Sequence, residues 1–318
     1  MTSYDLALSA VVGVLQAAAV FALAPLFTGI MRKVKARTQK RVGASVIQPY
    51  YELLKLLRKD EVVSENASWV FRAAPWVIAT STITAALFIP VFLPFSPLSA
   101  AGDVLVVLGL FALARFFTML AGIDAASAFG GIGTSREMML SSLAEPGVFI
   151  TVFVVSLTLG GTNLTSIVDA AAQTGVVLAP SMLFGLIAFF IVIFAETGRL
   201  PFDNPATHLE LTMVHEAMVL EYSGRSLALI EWSQSTKQLV LFALLVNLFV
   251  PLGMPGSMGA GPLYLAVGTL ATFGKIALLA GLVAYAETRV AKWRLFRLPD
   301  LLTVAIASGM VGMIFHYL

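Results

Sequence analysis

Long apolar stretches constrain this sequence most strongly, because about 20 mostly apolar residues in a helix span the hydrocarbon core of a bilayer. Eight such stretches occur, at residues 6–30, 74–95, 103–122, 142–160, 180–197, 238–252, 262–286 and 299–318, of which the sixth is short. Only 12% of the 318 residues are charged, whereas soluble domains carry roughly 25%. We therefore predict an all-α integral membrane protein, one polytopic domain over residues 1–318 with about eight transmembrane helices.

The basic residues predict the orientation of these spans. Nearly all of the 20 lysines and arginines lie in four segments on one side, at residues 31–73, 123–141, 198–237 and 287–298. The segments on the other side, at residues 96–102, 161–179 and 253–261, contain none. The positive-inside rule then makes the four basic segments cytoplasmic loops and puts both termini on the non-cytoplasmic side. We expect a multi-pass protein of the inner (cytoplasmic) membrane.

Two of the cytoplasmic loops are long enough to contain structure of their own. In the first, Tyr50, Leu53, Leu54 and Leu57 recur at helical spacing, and Pro49 suits the first turn of a helix. The pattern predicts an amphipathic helix. Two interpretations stay open, a helix that lies among anionic lipid headgroups and a docking surface for a soluble partner.

The second long loop is rich in acids within an apolar context. It holds Asp203, Glu210, Glu216, Glu221 and Glu231, and Glu196 ends the span before it. Glu210 and Glu221 are about three helical turns apart and would share a face. Acids among apolar residues are partly desolvated and suited to proton exchange, and His215 beside Glu216 is a further relay candidate. The alternative is a solvated acidic surface.

Several charged residues lie within or next to the apolar stretches. Arg115, Glu145, Lys275 and Glu287 each cost about 2.5–3.5 kcal/mol at the centre of a spanning helix, so we expect them to pair with one another or with a neighbouring subunit, or to line a wet cavity. Asp124, Arg136 and Glu137 border the glycine-rich residues 129–133. These glycines predict a tight turn or a close helix contact.

Composition excludes several kinds of site. The chain has no cysteine and three histidines, so it supplies no iron–sulfur ligand and little for any other metal. The net charge of +2 gives no indication of the strongly basic surface that binds nucleic acid. No nucleophile with an adjacent base occurs, and we predict no catalytic residue and no metal ligand in this chain.

Three segments together resemble the respiratory complex I subunit 1 family. The first comprises Arg-Val-Gly-Ala at 41–44, Gln-Pro at 48–49 and Glu-Leu-Leu-Lys-Leu-Leu at 52–57. The second is Glu-Thr-Gly-Arg-Leu-Pro-Phe-Asp at 196–203, and the third is Glu-Tyr-Ser-Gly at 221–224. Their order and spacing extend the resemblance over nearly the whole chain.

A further loop favours one branch of that family. Gly-Ile-Asp at 122–124, Phe-Gly-Gly-Ile-Gly at 129–133 and Ser-Arg-Glu at 135–137 resemble the membrane subunits of group 4 nickel–iron hydrogenases, of the formate hydrogenlyase type. The sequence departs from the family pattern in two places. Ala44 replaces a common proline, and residues 204–216 include His208 and His215 where many relatives have a run of glutamates.

The resemblance implies an anchor for a redox arm, coupled to ion movement. The implied partners are the hydrogenase large and small subunits, iron–sulfur subunits and antiporter-like membrane subunits. A nickel–iron centre and iron–sulfur clusters would belong to those partners, no cofactor is expected in this chain, and a quinone is left open. The predicted coupling residues are Glu196, Asp203, Glu210, His215, Glu216, Glu221, Asp124, Glu137 and Glu145. The predicted docking residues are Arg41, Gly43, Gln48, Pro49, Glu52, Lys55, Arg136 and Arg199.

Three other functions remain as alternatives at this point. The first is the quinone-chamber subunit of an NADH:quinone oxidoreductase, and the second is a stand-alone ion transporter. The third is a purely structural anchor, in which the acids would be idle. The charged spans and the acidic loop favour the coupling role over the last of these.

Overall fold

The computed structural model describes residues 3–92, 102–174, 179–203, 213–253 and 262–318, and the side chains of residues 3–10 and 262 are not described. Over these ranges the chain is helical and forms no strand. The helices are α1 (Ser3–Thr38), α2 (Gln48–Leu57), α3 (Trp69–Phe88), α4 (Val104–Asp124), α5 (Ala128–Leu159), α6 (Leu164–Thr174), α7 (Pro180–Glu196), α8 (His215–Val219), α9 (Gly224–Phe249), α10 (Pro262–Arg289) and α11 (Leu298–Tyr317), the last preceded by a short 3₁₀ helix, Leu295–Arg297.

Six described helices are long and apolar enough to cross a membrane. They are found at Val11–Thr38, Trp69–Phe88, Val104–Asp124, Ala128–Leu159, Leu263–Arg289 and Leu295–Tyr317. Helix α7 is apolar but has only 17 residues, and the first half of α9 contains Arg225, Glu231 and Lys237. The prediction of an all-α membrane protein is confirmed. The count of about eight spans and the location of the termini stay predictions.

Helix α5 extends through most of the segment 123–141, whose cytoplasmic location stays a prediction. The Oγ of Ser127 accepts a hydrogen bond from the backbone N–H of Gly130 at 3.1 Å, so the helix begins there and runs for 32 residues. The glycine-rich stretch is therefore helical, and the expectation of a tight turn is wrong. Its other predicted role, close contact, is found instead. A Cβ on Gly133 would lie 2.9 Å from both the Ala217 Cβ and the Val214 carbonyl oxygen.

The second long loop is also more ordered than predicted. Residues 224–237 form the first half of α9, and the predicted short span at 238–252 forms its second half. The short helix α8 ends at Val219, and Glu221 lies in the turn that follows. Glu210 and His208 lie outside the described residues, so the predicted face shared by Glu210 and Glu221 stays a prediction.

The predicted amphipathic helix is confirmed as α2. Pro49 lies in its first turn, and Leu53 is buried. The hydroxyl of Tyr50 donates a hydrogen bond to the Ala22 carbonyl at 2.6 Å, which fixes α2 against α1. Helix α6 was not predicted, and its buried face consists of Leu164, Ile167, Val168 and Ala171.

Packing brings four helices to the site. Helix α7 packs against both α5 and α11, and α3 packs against α4 and α9, while α1 covers α9 and α10. Helix α5 packs against α4 and α7, and α7 packs against α9. The residues predicted for the second and third cytoplasmic loops are thereby brought into one region.

Substituting Gly133 should show whether this close packing holds α5 in place. Gly133→Ala places a methyl group against α8, and such overpacking costs about 1–3 kcal/mol. Gly131→Ala is the matched control, because a Cβ there meets nothing within 4 Å and alanine favours a helix over glycine. We expect a lower Tm in detergent for Gly133→Ala and an equal or higher Tm for Gly131→Ala. Equal loss in both variants would contradict the packing role.

Candidate functional site

Arg115 on α4 forms the centre of the site. It is 9% exposed, and its guanidinium reaches three carboxylates on two other helices. One terminal nitrogen donates to Glu145 Oε1 at 2.8 Å, the other bonds Glu196 Oε2, and Nε lies 3.5 Å from Glu137 Oε1. The expected pairing of Arg115 with Glu145 is thus found, and α4, α5 and α7 are joined through one cation.

Glu196 also pairs with a fourth helix. Its Oε2 accepts a hydrogen bond from Lys237 Nζ on α9 at 2.7 Å. The Lys237 ammonium lies 5.7 Å from the centre of the Phe111 ring on α4, within range of a cation–π contact. Glu196 is 8% exposed, so its charge is balanced by these two cations rather than by water.

A histidine continues the row of charges from Glu137. The Nε2 of His215 is 3.4 Å from Glu137 Oε2, and its Nδ1 is 3.7 Å from Asp203 Oδ2. Asp203 Oδ2 also accepts backbone N–H bonds from Val214 at 3.1 Å and His215 at 2.9 Å, and Lys292 Nζ lies 3.5 Å from Oδ1. His215 therefore bridges two buried carboxylates.

The surroundings of this bridge favour its charged forms. Burial opposes a charged imidazole, but the carboxylate of Glu137, followed by that of Asp203, outweighs burial and raises the pKa of His215. Burial also opposes the charge on Asp203, yet His215 and Lys292 outweigh it and lower the pKa of that carboxyl. The two carboxylates therefore favour the protonated form of His215.

A second charged group lies on the other side of the same region. Glu287 on α10 is 4% exposed and lies 3.5 Å from Lys35 Nζ and 3.6 Å from an Arg199 terminal nitrogen. Arg199 also donates to Gln238 Oε1 at 2.7 Å. Gly198 before it has a φ of 58°, which a glycine adopts without strain, so this turn aims Arg199 inward.

One cavity of about 280 Å³ joins the two groups. Its lining is strongly charged and has more acids than bases. The acids are Glu52, Glu137, Glu196, Asp203, Glu216, Glu231 and Glu287, and the bases are Arg32, Lys35, Arg115, Arg199, Lys237 and His215. Among the described residues no cluster of His, Cys, Asp or Glu has the arrangement of a metal site.

Other predicted coupling residues lie elsewhere or act differently. Asp124 Oδ2 accepts the backbone N–H groups of Ser68 and Phe71, at 2.9 and 3.1 Å, and so caps the start of α3. Glu221 is exposed and does not line the cavity. Lys275 is remote, and its Nζ donates to the Val250 carbonyl at 3.0 Å.

The predicted docking residues divide into three sets. Arg199 and Glu52 line the cavity, with Glu52 held 2.5 Å from Arg32, and Arg136 donates to the Met213 carbonyl at 2.8 Å. Arg41 and Lys55 are exposed. The remaining three are Gln48, Pro49 and Gly43, which begin α2 or precede it. Their docking role stays a prediction.

Sequence reasoning missed the cations that complete the site. Lys35, Lys237 and Lys292 were counted only as basic loop residues, yet each pairs with a buried acid. Lys237 carried a usable signal, since it stands where the polar half of α9 meets the apolar half. Glu231, named as a loop acid, also lines the cavity.

The sequence profile described as NADH dehydrogenase matches residues 10–317. This chain belongs to that family. The match covers both charged groups and the cavity between them. The solved structure of an archaeal respiratory complex, the membrane-bound sulfane sulfur reductase, has a chain of the same fold, with a TM-score of 0.80 at 19% identity over 97% of this chain and 99% of that chain.

Two curated members of the family from Escherichia coli resemble this one over most of their length. Formate hydrogenlyase subunit 4 is 36% identical over 281 residues, which is 88% of this chain and 90% of the relative. Hydrogenase-4 component C is 35% identical, over 88% of this chain and 87% of the relative. Subunit 8 of the NADH-quinone oxidoreductase of Rhodothermus marinus is 27% identical, over 69% and 66%.

The His215 bridge predicts a pH dependence of stability. Folding raises the pKa of His215, so the bridge stabilises this family member fully below the unfolded-state value of about 6.5. That stability is lost as the pH rises through the pKa of His215 in the folded state. We expect the wild-type Tm to fall more than that of His215→Gln between about pH 6 and pH 9. Parallel curves for the two proteins would contradict a charged bridge.

Removing the positive charge of Arg115 should lower the folded yield more than changing the shape of its charged group. Arg115→Met leaves Glu137 and Glu196 buried without their main counter-charge, and breaking such a pair costs about 3–5 kcal/mol. Arg115→Lys keeps the charge but loses the fork that reaches three carboxylates. We expect the folded yield in detergent to decrease from wild type to Arg115→Lys to Arg115→Met. A Met variant as stable as the wild type would disprove the central role.

Proposed function

We propose that this chain is the membrane subunit of an energy-converting hydrogenase complex. It anchors the peripheral redox arm and couples electron transfer to translocation of protons or sodium ions. The observation that carries the proposal is the continuous row of charges that runs from the partly exposed Glu145 through the buried Arg115 and Glu137 and the partly buried His215 to the buried Asp203.

The row is suited to coupling because its members are close and poorly screened. Two charges about 4 Å apart interact by roughly 4 kcal/mol at an effective dielectric constant near 20. A change of about 1.4 kcal/mol already shifts a pKa by one unit. A new charge at one end of the row therefore changes proton affinity at the next member. A redox event in the partner arm provides such a charge.

The relatives support the hydrogenase branch. Both hydrogenase subunits are more than a third identical and cover most of this chain, whereas the quinone oxidoreductase subunit is less similar and covers less of it. The partners we propose are hydrogenase large and small subunits, iron–sulfur subunits and antiporter-like membrane subunits in the inner membrane. Nickel–iron and iron–sulfur centres belong to those partners, and this chain holds no cofactor.

The cavity lining combines many ionisable groups with apolar surface. Pockets that bind drug-sized ligands are lined mostly by apolar side chains, with a few polar groups. Here 13 of the 28 lining residues are Asp, Glu, Lys, Arg or His. Water and exchangeable ions suit this charged part of the lining, and a quinone stays an alternative occupant.

Purification of the native complex in mild detergent tests the assignment. We expect a nickel-containing large subunit and iron–sulfur partners to co-purify with this chain. Recovery of a flavin-containing, NADH-oxidising module without nickel would instead assign it to an NADH:quinone oxidoreductase. Recovery of the chain alone, with ion transport in liposomes, would assign a stand-alone transporter.

A neutral replacement at Glu137 tests the coupling role within the complex. Glu137→Gln breaks the row between Arg115 and His215, and loss of a positioned proton-transfer group lowers rates about 10²- to 10⁴-fold. We expect a large loss of coupled ion translocation while the nickel-containing arm is retained. Glu65→Gln is the matched control, because Glu65 is exposed and outside the cavity. Full coupling in Glu137→Gln would contradict the relay.

A further inference from the structure

Lys275 lies near the centre of the membrane-spanning helix α10. It is thirteen residues from Pro262 and twelve from Glu287, which are distances of about 20 and 18 Å at 1.5 Å per residue. Helix α9 gives the same depth independently. Gln238 and Glu287 both contact Arg199, so they lie at a similar depth. Val250, whose carbonyl accepts a hydrogen bond from Lys275, is about 18 Å further along α9.

At this depth the ammonium of Lys275 cannot reach the interface. A lysine side chain extends its charge about 6 Å from the backbone, much less than the distance to either end of the helix. A charge at mid-span is costly unless it is balanced. Its only hydrogen bond among the described residues is to the Val250 carbonyl, at the C-terminal end of α9.

That carbonyl satisfies one of three N–H donors but supplies no full charge. A helix C-terminus is worth only about half a negative charge. None of the described carboxylates forms an ion pair with Lys275. Among the residues whose side chains are not described, the only acids are Asp5, which precedes the predicted first span, and Glu210, which lies in the predicted cytoplasmic segment 198–237.

The surface around Lys275 has the shape of a helix-packing site. An exposed apolar stripe runs along the whole of α10 and consists of Leu263, Tyr264, Val267, Leu270, Leu278, Leu282 and Tyr285. Gly274 interrupts it beside Lys275, and a Cβ there would meet nothing within 4 Å. Glycine notches of this kind let two membrane helices approach closely and bond through polar side chains.

We propose that the α10 stripe around Gly274 and Lys275 receives a transmembrane helix of another membrane subunit, which presents an aspartate or glutamate to Lys275. This inference rests on the proposed function, since it requires a partner in the membrane. The glycine notch admits the partner backbone, Leu270 and Leu278 pack on either side, and the partner's carboxylate completes the charge balance that Val250 only begins. Bare lipid offers no anionic group at this depth.

Site-directed cross-linking tests the pairing. The chain has no native cysteine, so a single cysteine in Leu278→Cys labels one place on α10 with a photoreactive probe. In the native membrane complex we expect the cross-linked peptide to be a membrane-spanning segment with Asp or Glu within about one turn of the link. Cross-links to lipid alone, or to a helix without an acid, would overturn the proposal.

Charge variants give a second, independent readout. We expect Lys275→Met to release the cross-linked subunit in mild detergent, Lys275→Arg to retain it, and Leu278→Met, on the same face, to behave as the wild type. Exchanging the two charges, with Lys275→Glu and lysine at the partner's acid, should restore retention. Retention by Lys275→Met would overturn the proposal. Loss of the nickel-containing subunit from the wild type would instead count against the proposed function and leave the cross-link result readable.

Discussion

The structure depends on one buried guanidinium. Arg115 pairs with carboxylates on α5 and α7. One of these, Glu196, also pairs with Lys237 on α9. A lone arginine or glutamate at this burial would be prohibitively costly, so each charge makes the next one necessary. The fork geometry of arginine suits the centre, because it holds three acceptors on different helices in fixed directions. The same interaction that joins the helices therefore also arranges the acids in a row.

Composition and hydropathy predicted the class of the protein because those signals are local. An apolar run of about 20 residues is a property of the segment itself, whatever packs against it. The helical conformation of residues 128–141 was not predicted, for a related reason. Its glycines and its Arg136 and Glu137 are typical of loops in isolation, but in the fold they pack against α8 and Arg115. From the sequence alone, polar residues that tertiary contacts bury cannot be told apart from polar residues that stay exposed.

The candidate site was only partly predictable because its partners are distant in the chain. Glu196, Asp203 and Glu287 could be named from the sequence, but their partner cations could not. These cations are Lys237, Lys292 and Lys35. Lys35 meets Glu287 from the opposite end of the sequence, and Lys292 meets Asp203 across 89 positions. No local pattern in the sequence predicts ion pairs between residues so far apart. Only the packing of α9 and α10 beside α7 brings these residues together.

His215 changes the character of a row that would otherwise be mostly acidic. Where many relatives are expected to have glutamates, this chain places an imidazole between Glu137 and Asp203. Two adjacent buried acids share protons because both cannot be charged cheaply. An imidazole between them instead allows both to be charged while it holds the proton itself. The exchangeable proton then lies on a group whose ordinary pKa is close to neutral, and a charge that arrives at either acid changes how tightly that proton is held.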